Sequence, residues 1–461
     1  MPTDTARRCD LLLALGEAHH RAGAHRRANA AFRQAASLAR ELPSPERLAR
    51  AALGYGGPRG SFGVVDHELV SLLEEALWTL DEHDAVRARL LARLAMELYF
   101  GDAAERRAVL VDEAEAIARR LGDSATIAYA LNARYAALWG PDNATERLEI
   151  ANEVLELARH ARDHRLSREG RGRRIVTLLE LGDTAGAHRE IVEHARAANE
   201  LRQPYGRWQA AVWQAAEALL VGRFADGESR AREALDLGRR VRMTDAENCF
   251  AVQSFVAAME LGRLGELQHT VEELAKREPE PMRWITGVAY LHAELGHRDQ
   301  AAAAFEPVAA RGFAAIARDN QWLMRIANLA DTCAFLGDVA HADELRGLLL
   351  PYAGRNVVMV EGWACLGSAS RPLAMLAATS GRWDEAEAHF KAAIEFNTRL
   401  GARPWLARTE LGYAQMLSAR GAKGDPPRAH ELLQDTLATA RNLRMTTLAE
   451  RAAAQLAATP A

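Results

Sequence analysis

Two histidines, His160 and His164 in HARDH, stand four residues apart. On a helix that spacing puts both imidazoles on one face, where they can share a divalent metal. A third ligand and the glutamate of an HExxH motif are both missing, so a surface pair is the expected reading. His19, His20 and His25 likewise lack matched carboxylates. The four cysteines, Cys9, Cys249, Cys333 and Cys365, are scattered without CxxC spacing, which supports neither zinc nor a disulfide. LGYGGPRGSFGVV (Leu53 to Val65) holds five glycines and a proline, but no strand precedes it and no lysine follows. GAKGD around Lys423 lacks the spacing and the hydroxyl residue of a phosphate-binding loop. No metal, cofactor, nucleophile or NTP-binding motif emerges, and the sequence leans away from an enzyme.

What remains is chemistry for recognition. Trp208, Trp284, Trp322, Trp363 and Trp405 each lie about 12 to 18 residues before a glycine that reads as a helical turn. Arg207, Arg283, Asn320, Arg325, Asn328, Arg403 and Arg408 sit close to them. Aromatic faces and guanidinium groups on the first helices of stacked hairpins would suit a peptide or extended ligand in a concave groove. The competing reading is that each tryptophan packs between hairpins. Arg355, Asn356, Glu361 and Trp363, in the loop beginning LLLPYAGRNVVMVEGW, form a second candidate, since loops on rigid scaffolds often bind. RLSREGRGRR (Arg165 to Arg174) carries five arginines and reads as a solvated face or a dock for an acidic partner.

These residues need elements to hold them, and Gly381 to Gly421 shows which. Ala386, Phe390, Ala393, Ile394 and Asn397 fall on one helical face, with Asp384 and Glu387 placed to cap its start. Gly-x4-Ala-x3-Phe-x2-Ala, followed by Leu411-Gly412, is the wording of a tetratricopeptide-like hairpin. The same intervals occur at Leu15-Gly16, Gly23, Ala28, Phe32 and Ala35. Turn glycines follow at Gly182, Gly222, Gly262, Gly296 and Gly337, with Gly140 a weaker candidate. Their separations cluster near about 40 residues, longer than the roughly 34 of the standard unit.

Composition agrees with an all-α chain. Hydrophobic residues make up 49% of the 461 and charged residues 26%, enough for a packed core. The net charge of −4 argues against a nucleic-acid binder. No stretch is long and apolar enough to span a membrane and the N-terminus lacks a signal-peptide core, so a cytoplasmic location is expected. The β-branched run NVVMV is expected to be an extended loop for want of a partner strand. AKGDPPRA (Ala422 to Ala429) reads as an insertion in the last hairpin.

The specific wording resembles the C-terminal helical-repeat region of large bacterial signalling ATPases, the AAA or STAND regulators joined to LuxR-type DNA-binding or nucleotide cyclase domains. The segments that carry the resemblance are RRCDLLLALGEA, ARAALGYGG, ALWGPDN, ELRQPYGRW, LLPYAGRNVV, ACLGS, GRWDEAEAHF and LGARPWLARTELGYAQML, in order along the chain. The resemblance implies the sensing or docking part of such a protein, free-standing or excised, without its motor and DNA reader. The partner would be a protein segment or small effector, with a separate NTPase or regulator as one source.

The expectation is therefore one right-handed α-solenoid of about ten or eleven hairpins over residues 1–461. Its sub-blocks are 1–53, 66–198, 207–350 and 363–461. The function expected is non-catalytic recognition in signalling or transcriptional control, without a cofactor. An enzyme or enzyme accessory with a pocket inside the superhelix, and a passive assembly scaffold, stay open. Each hairpin should touch only its neighbours, keeping residues distant in sequence distant in space.

Overall fold

The computed structural model describes residues 2–21, 24–42, 44–56, 65–80, 84–101, 103–241, 243, 245–277 and 281–458. Most of LGYGGPRGSFG, and Gly23, lie outside the described residues. The chain is an all-α solenoid of tetratricopeptide-like hairpins, with twenty-three α-helices among the described residues.

The first stretch runs α1 (Pro2–Arg21), α2 (His25–Glu41), α3 (Pro45–Gly54), α4 (His67–Thr79), α5 (Ala85–Glu97), α6 (Ala104–Leu121), α7 (Ser124–Ala137), α8 (Ala144–His160) and α9 (His164–Leu181). The middle continues with α10 (Thr184–Glu200), α11 (Pro204–Leu220), α12 (Phe224–Arg240), α13 (Ala246–Glu260), α14 (Gln268–Arg277), α15 (Pro281–Leu295), α16 (Arg298–Ala309), α17 (Trp322–Leu336) and α18 (Val339–Leu349). After β1 (Asn356–Met359) and β2 (Ala364–Ser368) come α19 (Ser370–Thr379), α20 (Trp383–Leu400), α21 (Arg403–Arg420), α22 (Asp425–Leu443) and α23 (Thr446–Ala458).

Local chemistry explains the punctuation. Gly182, Gly222, Gly262, Gly296, Gly337 and Gly381 all adopt left-handed backbone, as the turn reading requires. Asp66, Asp84, Asp123, Asp163, Asp183 and Asp338 each accept a hydrogen bond from a first-turn amide. Asp384 does not cap α20: it lies inside the first turn, and Glu387 instead meets Lys391, Arg420 and Tyr413. AKGDPPRA is not an insertion either, because α22 starts at Asp425, with a proline in its first turn.

The repeat period is written in ion pairs. Asp10–Arg47, Arg33–Glu68, Arg40–Glu75, Arg106–Glu74, Arg119–Glu153, Arg346–Glu385 and Arg382–Asp343 stitch successive hairpins, their partners 32 to 39 residues apart. All but the part-buried Arg346–Glu385 are largely exposed and worth under about 1 kcal/mol each, so register rather than stability is what they supply. Stability comes from apolar contact, with one core running through α1–α9 and another centred on the β-hairpin.

Two expectations fail here. NVVM is a strand: β1 pairs antiparallel with β2, Val358 opposite Cys365, and the partner was ACLGS just downstream. Distant residues also meet. Tyr99 Oη accepts from Asn320 N at 2.9 Å, and Arg318 reaches Asp142 at 2.8 Å. Thr446 Oγ1 donates to Leu261 O at 2.9 Å, and Arg451 to Glu294 O at 2.7 Å. The superhelix is tight enough for one turn to touch the next.

That closure uses the turn glycines themselves. A Cβ on Gly262 would lie 2.2 Å from Thr446 Oγ1, whereas one on Gly337 would meet nothing within 4 Å. Both have positive φ. Gly337→Ala is therefore expected to cost about 1–2 kcal/mol, the left-handed penalty alone. Gly262→Ala should cost a further ~1–3 kcal/mol from overpacking. Equal losses in urea denaturation would show that the closure contact contributes nothing.

Candidate functional site

First helices of the hairpins line the inside of a tetratricopeptide superhelix, and here a segment of the chain itself occupies that space. The β1–β2 hairpin packs against α9, α11, α13, α17, α20 and α21. Three side chains grip its main chain. Trp213 Nε1 donates to Glu361 O at 2.9 Å, and Gln253 Nε2 donates to Trp363 O at 2.9 Å. Asn397 Oδ1 accepts from Ser368 N at 3.0 Å. Asn356 Nδ2 returns the favour, donating to Leu179 O at 3.0 Å. Each bond joins groups at least 29 residues apart. The walls between these bonds are apolar: Val357, Val358, Val360, Trp363 and Leu366 belong to the same core as Trp208 and Trp213.

The ionisable groups around this channel are largely silent near neutrality. Burial, with Arg168 and Arg171 close by, pushes His194 down to about 3, leaving a neutral ring edge-on to Trp213 at 5.0 Å. Burial pushes the Cys365 thiol up to about 12, and Cys333 likewise. Neither supplies a thiolate nucleophile.

A second site forms where α21 meets α13 and α15. Arg408 Nε lies 3.0 Å from both oxygens of Glu260, and its Nη1 lies 3.1 and 3.0 Å from those of Glu294. Behind it, Arg371 binds Asp331. Arg371 and Arg408 both stack on the Trp405 ring, at 5.4 and 5.5 Å. Burial pushes the Glu260 carboxyl above the usual range, although Arg408 opposes it. Glu294 is also penalised by burial, but Arg408 and Arg451 outweigh that and hold it below the usual value. A cavity of about 160 Å³ opens beside the three charges, lined also by Gly262, Leu264, Thr447, Leu448 and Arg451.

The residues anticipated from sequence are distributed over several places. Trp208, Trp322, Trp363 and Trp405 are at most 5% exposed, so their rings lie within the packing. Trp284 is half-buried in the first turn of α15, and the Arg283 side chain lies outside the described residues. Asn320, Trp322 and Arg325 gather at the closure by Tyr99: Arg325 makes two 3.1 Å bonds to Asp319, and Arg318 stacks on Trp322 at 4.3 Å. Asn328 is buried one turn on, its carbonyl accepting from Thr332 Oγ1. Arg355, Asn356 and Trp363 belong to the hairpin and its base. Trp405 and Arg408 belong to the ionic cluster, while Arg403 is exposed and meets Asn442 at 3.1 Å. Arg207 binds back to Asn199 O at 3.1 Å.

The basic run is not a free patch. Arg171 and Arg174 share Glu190, Arg165 lies over Tyr129, and Arg168 lies over Tyr205. His160 ends α8 and His164 starts α9, both exposed, so the pair is not on one helix face. Among the described residues no cluster of three or more metal-ligating side chains occurs.

Sequence reading missed Trp213, Gln253, Asn397, Glu260 and Glu294. Gln253 left a trace: an amide within FAVQSFVAAM, otherwise nearly all apolar, signals a buried polar group awaiting a partner. Asn397 left the same trace on the apolar face of α20, whereas Trp213, Glu260 and Glu294 left none, since their partners are more than a hundred residues away.

The tetratricopeptide repeat family profile matches residues 366–442, covering β2 through most of α22. No curated protein matches the chain. Among solved structures, yeast Tom70 is similar at 13% identity and a TM-score of 0.30, over 98% of this chain and 96% of that one. A circular tandem repeat protein with novel repeat topology is similar at 12% identity and a TM-score of 0.17, over 100% and 96%. The repeats mark the chain as an interaction module in the general sense, and among the described residues no helix is long and apolar enough to cross a membrane.

Proposed function

We propose that this chain is a non-catalytic recognition module that binds an extended segment of a partner protein on its concave side. The partner segment is read as one belonging to a signalling or transcriptional regulator. The observation that carries this reading is the grip on main chain inside the superhelix: Trp213 and Gln253 hold the carbonyls of Glu361 and Trp363 in the hairpin's turn, and Asn397 holds the strand amide of Ser368. Side-chain-to-backbone hydrogen bonds of this kind hold a polypeptide whatever its sequence, leaving flanking pockets to select among partners. Past the hairpin, the first helices α7, α9 and α11 continue the surface through Tyr129, Arg165, Arg168, Glu169 and Tyr205, with buried Asn132 bonded to Glu169. Arg165–Tyr129, Asn132–Glu169 and Arg168–Tyr205 contacts link the three helices. The resemblance to the repeat regions of signalling ATPases points the same way.

The test is affinity capture from the host of origin, comparing the intact chain with Arg165→Glu/Arg168→Glu. A discrete partner retained by the first and reduced at least about tenfold by the second, with helicity unchanged, supports the reading. An identical retained set, or none, overturns it. The cavity beside Arg408 favours a second reading, a small effector held by Glu260, Glu294, Arg408 and Arg451. A stoichiometric small molecule in native mass spectrometry would support that instead.

A further inference from the structure

We infer that the hairpin Asn356–Ser368 is a cis-bound occupant of a channel built for extended polypeptide, and that its release opens that channel to a partner segment. The identity of the incoming segment rests on the proposed function; the release of the hairpin does not.

Four observations converge on it. The hairpin is an insert whose ends meet: Ala369 N donates to Arg355 O at 3.0 Å, so the helical scaffold closes beneath it without needing its length. Its two strands pair only with each other, in an irregular register between Asn356 and Val358. A two-stranded ribbon of this kind is marginal by itself and is ordered by what surrounds it.

The grip is of the kind a trans ligand would meet. Indole and amide groups from α11, α13 and α20 address main-chain oxygen and nitrogen at Glu361, Trp363 and Ser368. The close approaches need bare backbone. A Cβ on Gly362 would fall 3.2 Å from Trp213 Nε1, and one on Gly367 2.7 Å from the Trp405 Cβ.

The docked state also carries local costs. Val360, at the tip, has φ 54°, a left-handed conformation that a β-branched residue adopts only under constraint. Such positions concentrate at clamps and switches, where the surrounding structure imposes them. The Asn356 Oδ1 and Gln253 Oε1 atoms are buried without a hydrogen-bond partner, on two of the side chains that join hairpin to channel. Strain at the tip and unmet acceptors at the grip count against the docked state, which the burial of Val357, Val358 and Trp363 holds in place. Sub-global opening begins with the least stable unit.

Hydrogen exchange on the intact chain decides the matter. Amides of residues 356–368 are expected to exchange at least about tenfold faster than those of α11 and α17, through an opening that leaves both helices protected. Trp213→Phe with Gln253→Ala removes two donors from the grip; it should accelerate the hairpin a further tenfold or so without matching acceleration in α17. A synthetic peptide spanning residues 355–369 should bind a chain in which Gly-Gly replaces 356–368, and should compete poorly against the intact chain. Hairpin amides that exchange in step with α11 and α17 would show an integral core element and overturn the inference. So would a replaced chain that folds and ignores the peptide, or one that cannot fold even with the peptide present. Because none of these readouts needs the natural partner, failure of partner capture and failure of hairpin release are distinguishable.

Discussion

Replacing Arg408 by alanine is expected to remove about 3–5 kcal/mol of stability, the usual result of stripping the partner from a buried ion pair. Among the described residues Arg408 alone donates to the Glu260 and Glu294 carboxylates, and the Glu260 side chain is 1% exposed. Without it two carboxylates face the cavity, since Arg451 donates to the Glu294 carbonyl and Arg371 is held by Asp331. Arg40→Ala, which breaks an exposed pair to Glu75, should cost under about 1 kcal/mol. The contrast between the two variants in urea denaturation isolates burial from charge. If Arg408→Ala loses no more than Arg40→Ala, the cluster is solvated and the account of this junction fails.

The pH dependence has a definite sign. Burial already holds Glu260 above the usual carboxylate range with Arg408 present. Removing Arg408 removes the influence that opposes burial at Glu260, and much of what holds Glu294 down. In the variant, folded carboxyls then bind protons more readily than unfolded ones, so stability is gained as pH falls toward the unfolded carboxylate pKa. The deficit against the intact chain should be larger at about pH 8 than at about pH 5. A deficit that grows on acidification would mean the carboxylates keep another cationic partner.

Trp322→Ala combined with Arg325→Ala is expected to unfold the chain or bring it close to unfolding. Trp322 is 1% exposed, wedged between the Arg318 guanidinium at 4.3 Å and Tyr352 at 5.3 Å. Deleting a buried indole costs about 3–5 kcal/mol. Removing Arg325 strands Asp319, which is 11% exposed on its side chain, for a loss of similar size. The two lie three residues apart, so the losses need not add, yet either is a large share of the roughly 5–15 kcal/mol that holds a domain folded. Circular dichroism and a melting curve on the single and double variants check this. A double variant with native helicity and an unchanged melt would return both residues to the groove.

The all-α class and the hairpin grammar were readable because they are local. A turn glycine, a capping aspartate and an apolar stripe act within a few residues of themselves, so Gly182, Gly222, Gly262, Gly296, Gly337 and Gly381 could be placed from spacing. The tryptophans were recognisable as recurrent but not as buried, since a large amphipathic ring at the start of a helix serves core or groove equally well. One error was local too: NVVM was denied a strand although ACLGS lay only a few residues on, because both runs are short and a glycine interrupts the second.

How the superhelix closes was decided only in three dimensions. Nothing near Arg408 in the sequence announces Glu260 or Glu294, 148 and 114 residues earlier, and nothing near Trp213 announces Glu361. Whether one turn of a solenoid reaches the next depends on small rotations accumulated over many hairpins, a sum that no window of sequence contains. The sequence by itself determined the repeat, its turns and its helical class. The tertiary structure decided that the superhelix would bury charge at its seam and hold its own extended segment within.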